Sequence, residues 1–347
     1  MGIFRRSKDR SAQGSSRSIE GFWAWWATEG RTLAEASIAG GANDALVAGM
    51  GQQVSGIHPG LAWEFSPGAT ATHCLVVSPE GDAILRAPAR RWLKAAPAAD
   101  ATWEFADSRQ ANPDAESLVL QIGDQSIAFA DVVVGARRES HRVDVSVHHP
   151  AFRTLDDRGR VTIAFLALDN ALGETDVELW VGEVSPSQVA PLDGFGLAGL
   201  RAVVRDLKAE NTDDRGQPSW AILSGDGEGG PVLAMTQVPL ASATAPELDT
   251  HAAVVVPYAD QTETGLPGPE ALTALRSLED SISEALGGTG RVVAHQSHAG
   301  VRVLHVYVDS TTDAVPVLTN VSKSWPQDVR IQVTPDPGWA NVAHLRT

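Results

Sequence analysis

The sequence predicts an α+β protein of more than one domain. Three observations carry that expectation. Apolar residues near the start recur at helical spacing, the middle of the chain contains strictly alternating segments such as Val143–His148, and about the last hundred of the 347 residues run strand-helix-strand-strand-helix-strand. At roughly 150 residues per domain, this length accommodates two or three domains. Hydrophobic residues make up 43% and charged residues 20%, enough apolar material for ordinary cores.

Residues 1–17 are rich in Ser and Arg and lack periodicity, so they read as a disordered basic tail. An N-terminal α+β domain is expected over 18–186. Ser18 stands where it would cap a helix carrying Ile19, Phe22, Trp23 and Trp26 on one stripe, and its polar side is not basic, which favours packing into a core over a membrane surface. Thr32 to Glu35 has the pattern of a capping box, Gly40-Gly41 is a breaker, and Asn43 restarts a helix through Leu46 and Met50. Strands are expected at 61–65, 72–77, 102–106, 118–122 and 143–148, with a helix at 88–96. The apolar runs Val161–Leu168 and Val177–Val184 read as buried strands.

Pro186, Pro191 and Gly194 mark an expected boundary, and 187–249 reads as a middle α+β segment and linker. It holds a helix with Leu197, Leu200, Val204 and Leu207 on one face, then two strands flanking SGDGEGG. The C-terminal domain, 250–347, begins with the strand His251–Tyr258. A helix follows from Pro267 to Leu286 and stops at Gly287. Arg291–Ser297 and Val301–Val308 make a hairpin around Ala299-Gly300, a short helix carries Val317, Leu318 and Val321, and Val329–Val333 is the last strand. That order is the ferredoxin-like pattern.

A net charge of −16 disfavours nucleic-acid binding through the acidic body. No apolar stretch approaches the roughly 20 residues of a transmembrane helix. The basic start lacks the apolar stretch of a secretory signal. The single cysteine, Cys74, forbids an intrachain disulfide and, with the missing signal, points to the cytoplasm; its strand-like surroundings favour a buried, inert thiol.

No phosphate-binding, zinc-protease, nucleophile-elbow or paired-cysteine motif is present. No cofactor and no metal site is expected. The loop SGDGEGG reads as a hairpin turn, since no helix and no nearby Lys follow it. Among the ten histidines, His148-His149 stand at a strand end, and His295, His298 and His305 lie in one hairpin. A two-residue loop pairs His298 with Val301 and sets His305 opposite Ala294; a three-residue loop sets His295 opposite His305. Glu279 lies at the edge of its helix's apolar stripe, where half-burial would raise its pKa, making it a weak acid/base candidate beside the simpler role of a boundary residue. Both helices of the C-terminal domain should cover one sheet face, carrying Val293, Leu304, Val306, Val308, Val329, Ile331 and Val333. Gln296, His298, His305, Tyr307, Arg330 and Gln332 then occupy the other face, and of these Gln296, His298, His305, Tyr307 and Arg330 are the candidates for a binding surface.

LEDSISEAL at Leu278–Leu286, VVAHQSHAGVRVLHVYVD at Val292–Asp309 and VRIQVTPDPGW at Val329–Trp339 resemble the bacterial domain of unknown function 695 family. The family shows an acidic pair in a helix, a glycine turn inside a hairpin and an Asp-Pro-x-Trp ending, which Asp336, Pro337 and Trp339 match. FWAWW near the start, the Leu-x-Trp-Glu-Phe strand and LGETDVELWVG at Leu172–Gly182 are similar to proteins of the same group. The likeness spans most of 20–185 and 251–340, and stretch 190–250 shows none. It implies a ferredoxin-like domain but no activity and no catalytic residues. A fold-level kinship with a bacterial ribonuclease inhibitor implies regulation by protein binding. The expected function is therefore a non-catalytic protein-binding or regulatory module with an unidentified protein partner. The alternative is a hydrolase-type enzyme built from clustered His and carboxylate residues.

Overall fold

The structure, a computed structural model, describes residues 16–122 and 125–346. Most of the expected tail at 1–17 lies outside the described residues, and Ser16 and Arg17 are already helical. Two compact units divide after Arg109.

In the first unit, helix α1 (16–25) continues through a π turn, Trp26–Gly30, into α2 (Arg31–Ile38). Ser18 and Thr32 therefore lie inside one continuous helix instead of capping two. Helix α3 (Asp44–Ile57), strands β1 (Ala62–Pro67) and β2 (His73–Ser78), helix α4 (Arg86–Lys94) and strand β3 (Trp103–Ala106) follow. β2 pairs antiparallel with β1 and parallel with β3. The tryptophan cluster is the core of this unit. Phe22, Trp26, Trp92 and Trp103 are buried, with Phe22 edge-on to Trp92 and Trp26 edge-on to Trp103 at ring-centroid distances of 5.5 and 5.1 Å. Cys74 is buried on β2, and burial pushes its thiol up to about 11.

The second unit opens with the hairpin β4 (Val119–Ile122) and β5 (Gln125–Ala128). Strands β6 (Val133–Glu139) and β7 (Arg142–His148) pair antiparallel. Two helices come next, α5 (Asp157–Leu172) and α6 (Glu174–Trp180), before β8 (Val181–Ser187) pairs parallel with β7. The run Val161–Leu168 is thus helical, and only the end of Val177–Val184 is a strand. The apolar run misleads because the solvent side of α5 also carries apolar residues, Val161 at 43% and Phe165 at 42% exposure, so the sequence loses its helical period although only one face is buried. Its ends are nevertheless well marked: the Asp156 carboxylate accepts from Gly159 N at 2.7 Å, and Gly173 at φ +82° ends the helix. Helix α7 (Leu197–Glu210) packs into the same core as α5, α6 and β7 through Leu197, Leu200, Val204 and Leu207.

Strands β9 (Ser219–Gly227), β10 (Gly230–Val238), β11 (Thr250–Pro257), β12 (Gly290–His298), β13 (Val301–Val308) and β14 (Arg330–Pro335), with helices α8 (Pro269–Leu286) and α9 (Ala314–Ser322), complete the unit. The six strands form one antiparallel sheet in the order β14-β11-β13-β12-β10-β9. The expected boundaries at 186 and 249 therefore do not divide this unit. α7 belongs to the core formed with β7, while β9 and β10 are zipped onto β12. Pro186 lies within β8, and Gly194 N donates to Pro191 O at 3.2 Å in a local turn, roles that composition cannot tell from a linker.

α8 and α9 cover one sheet face, where Leu275, Leu278, Ile282 and Leu318 pack on Val254, Val292, Leu304, Val306 and Val308. The loop between β12 and β13 has two residues, Ala299 and Gly300, at φ +46° and +76°, both left-handed as a tight hairpin of this twist requires. Among the described residues, no helix is long and apolar enough to cross a membrane.

Candidate functional site

The two-residue turn fixes the hairpin register: His298 pairs with Val301, and His305 with Ala294. A β-bulge between Val292 and Ala294 then shifts the phase, so Val292 pairs with Val306. Val293, expected under the helices, packs instead on the opposite face with Ala294, Tyr307 and Trp339. Val333 is exposed, at 39%.

The face away from α8 and α9 is closed at its centre by the chain itself. Trp339, fully buried, stacks on Tyr307 with 4.3 Å between ring centroids, and its Nε1 donates to Leu248 O at 2.8 Å. Tyr307 donates to Asp336 Oδ2 at 2.6 Å, and burial together with that bond pushes its hydroxyl pKa up. Asp336 also accepts from the backbone of Ala340 and Asn341, both at 2.8 Å, fixing the final turn. His305 is buried beside His251, whose Nε2 lies 3.0 Å from His305 Nδ1. His344 meets His305 edge-on at 6.1 Å. Burial first, then the neighbouring His251, His344 and His295, pull His305 down to about 4. Its Nε2 has no hydrogen-bond partner among the described residues.

The five binding-surface candidates thus separate. His305 and Tyr307 are packing residues. His298 faces two carbonyls, Pro231 O at 3.2 Å and Glu228 O at 2.9 Å, and anchors the β9–β10 turn. Gln296 is half-buried on the same strand. Arg330 is exposed on β14 at the far edge of the sheet, with β11 and β13 between it and β12.

Glu279 belongs to a different cluster, under the helices. Its Oε1 accepts from Arg302 at 2.9 Å, Arg302 also donates to Ser297 Oγ at 2.9 Å, and His295 Nδ1 lies 3.4 Å from Glu279 Oε2. The His295 contact is close enough for charge attraction but lacks hydrogen-bond alignment. Burial pushes the Glu279 carboxyl up, but His295 and Arg302 outweigh it, and the net shift is downward. The raised pKa expected from half-burial is therefore corrected: the sequence shows the burial but not Arg302, which comes from a strand 23 residues away. A carboxylate held ionised in this way is a poor general acid. Among the described residues, no group of three or more His, Cys, Asp or Glu is arranged to hold a metal ion.

Next to this cluster the sheet is open. His295 pairs with Leu304 on one side and Met235 on the other, and Met235 pairs with Ile222. Directly opposed residues share a face, so Ile222, Met235 and His295 all lie on the side of α8 and α9. Trp220, two residues before Ile222, lies on that side too and stacks on His295 at 6.2 Å. Among the described residues, no helix covers this part. Trp220 is 40%, Ile222 68% and Leu233 38% exposed. Both strands are legible in the sequence, but the turn residues around them suggest a separate segment. The alternation of Trp220 and Ile222 was the available signal, and only the β10–β12 pairing shows which face it occupies.

Residues 219–343 match the model described as "Family of unknown function (DUF695)". No curated protein and no solved structure gave a match.

Proposed function

We propose that this chain, whose residues 219–343 form a domain of the DUF695 family, is a non-catalytic protein-binding or regulatory module working in the cytoplasm. The strand order β14-β11-β13-β12, antiparallel throughout with two helices on one face, supports a ferredoxin-like domain widened by the β9–β10 hairpin. The observation that carries the functional reading is the uncovered row Trp220, Ile222 and Leu233 on an otherwise helix-covered face. Scattered single apolar residues are ordinary, whereas a contiguous row rimmed by polar groups marks an interaction site. The chemistry-bearing groups are already engaged inside the fold: Glu279 beside the row with Arg302, and, on the opposite face, His305 with His251 and Tyr307 with Asp336.

Affinity capture from the source cell, with the native chain and the Trp220→Ala/Ile222→Ser variant as parallel baits, tests this reading. A partner retained by the native chain and lost by the variant at unchanged thermal stability is the expected result. Turnover in a broad hydrolase screen, abolished by Glu279→Gln or His305→Gln in folded protein, would replace it with an enzyme.

A further inference from the structure

We propose that the open face of β9 and β10, beside α8, takes a basic amphipathic helix from a partner protein. The proposal deepens the protein-binding reading and rests on it.

Neighbouring strands lie about 4.8 Å apart, so two uncovered strands expose a floor roughly 10 Å wide. An α-helix with its side chains is about 10–12 Å across. The helix layer over this sheet contains α8 and α9, packed against β11–β14, and it stops short of β9 and β10. The vacant part of that layer has the width of one further helix.

Trp220, Ile222 and Leu233 offer apolar contact, with half-buried Met235 and His295 between them and α8. From Trp220 to Ile222 along β9 is about 7 Å, and a second strand adds depth, so the row matches roughly two helical turns. Three or four apolar residues at i, i+3, i+4 and i+7 fit that patch. A strand added to the free edge of β9 would leave these side chains facing water.

Residues 216–275 contain no Lys and no Arg. The tip of the hairpin carries Asp226 and Glu228, both exposed, and the α8 wall carries Glu279 and the exposed Asp280, with Arg276 one turn earlier. Glu279 is matched by Arg302, whereas the tip carboxylates lie in a stretch free of cations. A helix whose apolar stripe is flanked by Lys or Arg complements this rim, and an acidic helix is repelled by it.

The test uses labelled synthetic peptides of about four helical turns. One has leucines on a single stripe with lysines elsewhere. A second replaces lysine by glutamate, and a third keeps the composition of the first but scatters the leucines around the helix. Fluorescence anisotropy on the full chain should show the first binding at least about tenfold tighter than either control. Ile222→Lys, at the most exposed position of the row, should remove that preference without altering the melting temperature. Asp226→Lys/Glu228→Lys should weaken the first peptide and strengthen the glutamate one. The proposal is overturned if the native chain does not prefer the first peptide, or if Ile222→Lys leaves the preference intact. It is also overturned if sedimentation shows a homodimer that Ile222→Lys dissolves, since a second copy would then be the occupant. In each of these cases, a captured partner still lost with Trp220→Ala/Ile222→Ser leaves the protein-binding reading standing.

Discussion

Replacing Trp339 by alanine should destabilise the second unit by about 4 kcal/mol. The indole is fully buried, and an aromatic-to-alanine change at such a site costs about 3–5 kcal/mol from lost transfer energy and the cavity left behind. Two local losses place it in the middle of that range or above. The stack on Tyr307 at 4.3 Å disappears, worth about 0.5–1.5 kcal/mol, and Leu248 O loses its donor, worth about 1 kcal/mol. These overlap with the cavity cost and do not simply add. For a unit of this size each kcal/mol shifts the melting temperature by about 2–4 °C, so a fall of roughly 8–16 °C is expected in differential scanning calorimetry. Trp339→Phe, which keeps the stack and loses the hydrogen bond, should fall between the two. A melting temperature within about a degree of the parent would refute the claim that the C-terminal segment is bound through this ring.

Protonation of His305 should loosen the same region. Its folded pKa, about 4, lies below the ordinary value of 6.5, so the unfolded chain binds more protons between those values. The stability contribution is full above pH 6.5 and is lost as pH falls towards 4, by about 3 kcal/mol; His305→Gln should flatten that slope in urea titrations taken across the window. Glu279→Leu should cost about 3 kcal/mol by leaving the buried Arg302 unpaired, and Glu279→Leu/Arg302→Met should recover most of it; equal stability of the single variant and the parent would mean that the pair is solvated. Cys74 should resist iodoacetamide at pH 8 in the native state and react fully in urea, as mass spectrometry would report, because a buried thiol near pKa 11 is almost entirely protonated there.

The C-terminal elements were legible because each carries both a period and punctuation. α8 begins at Pro269 and ends before Gly287, and Ala299-Gly300 marks a two-residue turn, which together place the strands and their pairing. Asp336-Pro337-Gly338 likewise punctuates the chain just before the buried Trp339. The α5 segment was not legible, since Val161 and Phe165 on its exposed side erase the amphipathic contrast of a helix buried on one face. The candidate site was only half legible. Alternation assigns His305, Tyr307 and Arg330 to one face, but it cannot show that Trp339 and residues 240–248 cover the centre of that face. It also cannot show that Arg302 answers Glu279, because both facts depend on contacts between residues far apart in the chain.

The bulge at Val293 divides β12 into two pieces read in opposite phase. Before it, even-numbered Val292 faces the helices; after it, odd-numbered His295 and Ser297 do, in register with Leu304 and Arg302. The piece after the bulge is locked by the turn at Ala299-Gly300, and the piece before it by Val292 opposite Val306. A change of chain length at this one position is therefore absorbed where it occurs, whereas the same change elsewhere in β12 would turn the helix-facing and outward-facing side chains over. Val293 acts as an expansion joint in the strand, and gaps between related chains in β12 belong there.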